Sequence, residues 1–118
     1  MRLTLRNSSG DFRLLEVREI VYLQTNGAGD VTIYSYDDEY KMISRVKDLS
    51  ALLEDSGFIR TDRGTVINAE SIVSFDGFLN IVKLRTSNGE VIMPVAYRMQ
   101  KQIRAYLKSV RGAKFERD

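Results

Sequence analysis

Apolar and polar residues alternate with a period of two along most of this 118-residue chain. The alternation runs through residues 2–6, 12–17, 20–24, 31–36, 40–43, 71–75, 81–85 and 91–95. Such a period sends successive side chains to opposite faces of a strand, so one face of each run can be buried. Polar breaks separate the runs, notably Asn26-Gly27-Ala28-Gly29-Asp30 and the acidic Asp37-Asp38-Glu39, which reads as a solvated hairpin tip. Asn88-Gly89, placed between two alternating runs, is a strong hairpin signal. Pro94, the single proline, lacks an amide to donate and belongs at a strand end or edge. The pattern predicts a mainly β fold of short antiparallel strands.

Two segments break that period. Val46, Leu49, Leu52 and Leu53 fall at helical spacing within residues 46–55, and Gly57 is placed to stop a helix there. A second helix is predicted over residues 96–110. Met99, Ile103, Tyr106, Leu107 and Val110 form its apolar stripe, with Lys101, Arg104, Lys108 and Arg111 together on another side. Arg98, in the first turn beside Tyr97, is expected to stand apart from that basic cluster, its direction set by the loop before it. A brief helical turn is also expected over residues 16–19. Residues 1–110 read as a single domain and residues 111–118 as a flexible basic tail.

Charge changes this picture. The net charge is only +2, yet the residues from Ala96 onward hold seven lysines and arginines against two acids, while the first 95 hold eleven against fourteen. A basic end on an otherwise acidic domain points to an anionic partner, nucleic acid first. The chain has no cysteine and no histidine. Zinc sites, Ser-His-Asp triads and cysteine nucleophiles are therefore excluded, an enzyme is not expected, and neither is a cofactor or metal. No apolar run is long enough to cross a membrane and the first residues do not form a signal peptide, which fits a cytoplasmic protein.

The most informative stretch runs from Phe58 to Ile72. Arg60 and Arg63 lie three residues apart, between a short apolar run and the β-branched Thr65-Val66-Ile67. That spacing does not alternate cleanly on a strand and suggests cations on an ordered turn, suited to phosphates or a guanine edge. Exposed arginine is the default for the residue type, so the context of the whole chain decides. Asp62 between them would be repelled by phosphate. Its expected role is structural, capping the turn through the Gly64 or Thr65 amide or pairing with Arg60 or Arg63.

The order of these elements, with Phe58-x-Arg60-x-x-Arg63, then Val66-Ile67-Asn68, then Pro94-Val95-Ala96-Tyr97-Arg98, resembles the LytTR domain, a β-rich DNA-binding module that ends many bacterial response regulators. The resemblance runs from about Leu3 to Leu107, with Asp62 in place of the family's usual His and Gly64 in place of its Ser. It implies an elongated β-sandwich that contacts double-stranded DNA through loops in successive major grooves and bends it. Carried over by position, the DNA-facing residues are Asn26, Gly27 and Asp30 in the first loop, Arg60, Arg63 and Gly64 at the second turn, and Tyr97, Arg98 and Lys101 at the last helix. Arg45 and Lys47, opening the first helix, are expected to touch phosphate. Asn26 has two readings of equal weight, a base contact to adenine or an Asx turn that starts its loop.

The expected protein is a sequence-specific transcription regulator acting on paired direct-repeat sites, as a dimer on DNA or under a separate inhibitor or regulator protein. It is expected either to stand alone or to be a piece of a longer response regulator. Two other classes remain open from the sequence. One is a protein-interaction module of the same fold that has lost DNA readout, with Asp62 and the Gly-Ala-Gly loop as its marks. The other is a single-strand or RNA binder stacking bases on Tyr22, Tyr34, Tyr36 and Tyr40.

Overall fold

The computed structural model describes residues 1–43, 46–109 and 115–117. Strands β1 (Arg2–Asn7), β2 (Phe12–Glu16), β3 (Ile20–Thr25), β4 (Asp30–Ser35) and β5 (Glu39–Ile43) come first. Helix α1 (Val46–Leu53) leads into β6 (Phe58–Asp62) and β7 (Thr65–Asn68), followed by β8 (Ile72–Asp76), β9 (Ile81–Thr86) and β10 (Gly89–Pro94). Helix α2 (Gln100–Ser109) and a short β11 (Phe115–Arg117) complete the described chain.

The strands form two sheets. A seven-stranded antiparallel sheet has the order β2-β1-β5-β4-β3-β7-β6, and a four-stranded sheet has the order β10-β9-β8-β11. The large sheet is covered on both sides. On one face Leu5, Leu23, Val31, Ile33 and Val66 pack against Val46, Leu49 and Leu53 of α1. On the other, Val21, Tyr22, Ile59 and Ile67 meet Phe75, Val82 and Leu84 of the small sheet and Ile103 and Leu107 of α2. A bulge in β3 between Ile20 and Tyr22 lets Val21 and Tyr22 both serve the second core, while Ile20 and Leu23 serve the first. The result is an elongated body of 41 × 26 × 23 Å, and no helix among the described residues is long and apolar enough to cross a membrane.

The expected mainly β sandwich with one internal and one terminal helix is what forms. Gly57 ends the first helical segment in a left-handed conformation at φ 85°. Gly89, at φ 109°, closes the expected hairpin, and Pro94 is the last residue of the edge strand β10. Some local expectations differ. Leu52 is half exposed, because positions 46, 49 and 53 already fill the contact of α1 with the sheet. The last helix starts as a 3-10 turn over Tyr97–Met99, since Ala96 offers no side-chain cap and its carbonyl accepts the Met99 amide at 2.8 Å. Within the segment read as a tail, Phe115–Arg117 pairs in parallel with β8. Val110 and residues 111–114 and 118 lie outside the described residues.

Candidate nucleic-acid interface

The end of β3, the start of β4, the end of β5, the end of β6 and the start of β7 all lie at one end of the large sheet, because neighbouring strands run antiparallel. That topology alone gathers the 26–30 loop, the beginning of α1 and the 62–64 turn. Three backbone bonds lock the neighbours in place. The Thr25 amide donates to the Gly64 carbonyl at 2.9 Å, the Ala96 amide to the Thr61 carbonyl at 2.8 Å, and the Val95 amide to the Asn80 carbonyl at 2.8 Å. The start of the last helix and the turn between β8 and β9 are thereby tied to the same end.

The β6–β7 turn separates the two arginines by role. Arg60 donates from Nε to the Asp62 carbonyl at 3.1 Å and from a terminal guanidinium nitrogen to the Arg63 carbonyl. It braces the turn from below. Arg63 is exposed, and its guanidinium has no hydrogen-bond or ion-pair partner among the described residues. Asp62 Oδ1 accepts the Gly64 amide at 2.9 Å, so this carboxylate is a turn cap, as expected, while no ion pair with Arg60 or Arg63 is formed among the described residues. Gly64 has its own constraint: a Cβ there would lie 3.1 Å from the Thr25 methyl.

The 26–30 loop is closed by its own polar groups. Asn26 Oδ1 accepts the Ala28 amide at 2.9 Å, which is the Asx turn. The Gly27 amide donates to Thr25 Oγ1, and the Asp30 carbonyl accepts from the Asn26 amide and the Thr25 hydroxyl. Asp30 also holds the Asn26 side chain at 3.4 Å through its carboxylate. Gly27 and Gly29 take φ of 86° and 91°, a path open to glycine at little cost. This loop therefore offers backbone and a compact shape, with the oxygen of Asn26 already occupied.

Tyr97 and Arg98 are both exposed at the start of the last helix, Tyr97 at 86%. Arg98 does not stand apart from the basic cluster. It lines one groove with Lys101, Arg104 and Lys108, since residues three or four apart on a helical path share a face. Lys47 is exposed at the second position of α1, and Arg45 lies outside the described residues. Beneath the helix start, Thr61 Oγ1 and Gln100 Nε2 are buried without a partner among the described residues. Of the four tyrosines, Tyr22 and Tyr40 are buried, Tyr22 stacks on the half-buried Tyr34 with ring centroids 4.3 Å apart, and Tyr36 is exposed.

The sequence profile of the LytTr DNA-binding domain matches residues 10–108 of this chain. The chain belongs to the LytTR DNA-binding domain family. Among solved structures, the LytTr domain is similar to that of a protein from Bacillus cereus described as a methyl-accepting/DNA response regulator, with a TM-score of 0.72 at 19% identity over 90% of this chain and 95% of that one. No curated protein sequence matches the chain. At that identity the structural likeness establishes the LytTR fold, and the profile establishes the family.

One feature of this LytTR domain was not singled out by its sequence. Gly77-Phe78-Leu79-Asn80 was only a connection between two alternating runs, yet its Phe78 and Leu79 are 75% and 55% exposed. The available signal was two large apolar residues in a turn that its glycine and asparagine already account for.

Proposed function

We propose that this domain reads double-stranded DNA by sequence, with Arg63 as its principal base-reading side chain. The observation that carries the reading is the division of labour at the β6–β7 turn. Arg60 spends donors on the turn carbonyls, and the neighbouring guanidinium of Arg63 is left exposed at the tip. A guanidinium so placed can donate two bonds to guanine O6 and N7 in a major groove, worth about 1–3 kcal/mol of discrimination. Arg98 and Lys101 supply neighbouring cations, and Lys47 and Arg45 add phosphate contacts. Asn26, Gly27 and Asp30 shape a loop that approaches the sugar-phosphate backbone, with the Asp30 carboxylate turned onto Asn26. Several loops on one rigid sheet end engaging successive grooves favour a curved duplex. Paired direct repeats, occupied by two copies, would supply the affinity that a single domain lacks.

The test is selection of bound duplexes from a random library, with wild type and Arg63→Ala side by side. An enriched motif that loses preference at defined positions in the variant supports base reading by Arg63. Uniform weakening assigns Arg63 to phosphate instead. Absence of any enrichment by the wild type at low salt defeats the reading and leaves the interaction-module alternative.

A further inference from the structure

The turn between β8 and β9 is built to hold an apolar tip in a fixed place. The carboxylate Oδ1 of Asp76, itself 2% exposed, accepts the amides of both Phe78 and Leu79 at 2.9 Å. Asn80 adopts φ 59°, a left-handed conformation that asparagine tolerates better than most residues. The Val95 amide then ties the Asn80 carbonyl to the start of the last helix. Three restraints on four residues leave Phe78 and Leu79 projecting from an ordered turn.

The surroundings of that tip are cationic. Phe78 lines one groove together with Tyr97, Arg98, Lys101 and Lys108. Arg104 also lines it, its guanidinium 5.2 Å from the Phe75 ring centroid and so close to Gly77 that a Cβ there would collide with it. Among the described residues, no acidic side chain lines the groove. A rigid apolar tip beside a cluster of cations, at the same end of the molecule as Arg63, matches the needs of a side chain that enters a duplex: an apolar wedge between base pairs, and positive charge for the phosphates that close around it.

We infer that Phe78, supported by Leu79, is a DNA wedge that inserts at a base step flanking the position read by Arg63, and that Lys101 and Lys108 hold the adjacent phosphates. The inference rests on the DNA-reading role proposed above. An acidic protein segment would satisfy the cations equally, but DNA is favoured because the tip is continuous with the Arg63 end of the sheet.

The test uses the duplex enriched by the wild type, with 2-aminopurine placed at successive base steps and a fluorophore pair at the duplex ends. Phe78→Ala should lower affinity about tenfold, in line with loss of one aromatic–base contact, and should reduce both the 2-aminopurine signal and the bend. Its base preference and the slope of affinity against salt should stay as in the wild type, because no charge is removed. Phe78→Trp should restore the fluorescence change. Wild-type affinity and bend in Phe78→Ala, with Arg63→Ala still impaired, overturn the wedge and leave the DNA-reading role standing. A wild type that enriches no duplex overturns both. Phe78 is exposed, so an unchanged melting temperature shows that the variant remains folded.

Discussion

The backbone amide of Thr25 donates to the carbonyl of Gly64, joining the end of β3 to the turn that carries Arg63. Two loops far apart in sequence are thus joined directly through the backbone. The join depends on close approach, since a Cβ on Gly64 would stand 3.1 Å from the Thr25 methyl. Gly64→Ala should therefore push the turn off β3, lowering stability by about 1 kcal/mol and weakening DNA binding beyond that loss. Thermal melts and a binding titration on the same variant check this. Wild-type affinity would show that the join does not position Arg63.

Arg60 and Arg63 should separate in the same pair of measurements. Arg60→Ala removes two bonds to turn carbonyls and should cost about 1–2 kcal/mol of stability along with DNA affinity. Arg63→Ala touches no internal partner among the described residues and should change stability by less than about 0.5 kcal/mol while reducing binding. Equal destabilisation by both variants would end the distinction between brace and reader.

Asn68, part of the motif by which the family is recognised, has a structural task. Its Nδ2 donates to the Ile20 carbonyl at 2.9 Å in a buried setting, and its Oδ1 caps the following turn through the Glu70 amide at 3.0 Å. Asn68→Ala strands a buried carbonyl and an amide, and should cost about 2–3 kcal/mol in denaturant unfolding. Asn68→Asp keeps the cap but loses the donor to Ile20, so it should not rescue. Recovery of stability by Asn68→Asp would assign the whole effect to the cap.

Much of this architecture was legible because its signals are local. The period of two marked the strands, Asn88-Gly89 the hairpin and Gly57 the helix stop. The gathering of the 26–30 loop, the 62–64 turn and Tyr97 at one end came from family resemblance, because no local pattern reports which strand ends are neighbours. The roles of Arg60 and Arg63 were not separable, since a strand-end arginine that folds back onto carbonyls has the same composition as one that points outward. Phe78 was missed for a related reason. Exposure of an apolar residue is decided by how its turn is tied to Asp76 and Val95, partners that lie at its flank and across the sheet.

Alkaline pH should weaken the fold. Burial raises the Tyr22 hydroxyl above its ordinary 10.0, with Tyr34 and Glu39 adding repulsion, and burial likewise raises Tyr34 and Tyr106. A tyrosine held neutral in the folded state binds its proton more tightly there than when unfolded. Its stabilisation is complete below pH 10 and is lost as pH rises through the raised folded value. Melting temperature should fall over that window, and Tyr22→Phe should flatten the fall. An unchanged slope in Tyr22→Phe would locate the loss elsewhere.

Asp62 poses the sharpest test of charge at this surface. Its Oδ1 is needed to accept the Gly64 amide, but its negative charge sits beside Arg63, where phosphates would approach. Asn supplies the same acceptor without the charge. Asp62→Asn should keep wild-type stability and tighten DNA binding by about two- to fivefold at low salt, with the gain fading as salt screens the repulsion. Asp62→Ala removes the cap as well and should lose stability by about 1 kcal/mol. Affinities of the three proteins, measured at two salt concentrations on one duplex, decide the matter. Equal affinity of wild type and Asp62→Asn at low salt would mean that the phosphates pass too far from this turn to feel its charge, and would count against Arg63 reaching a base from it.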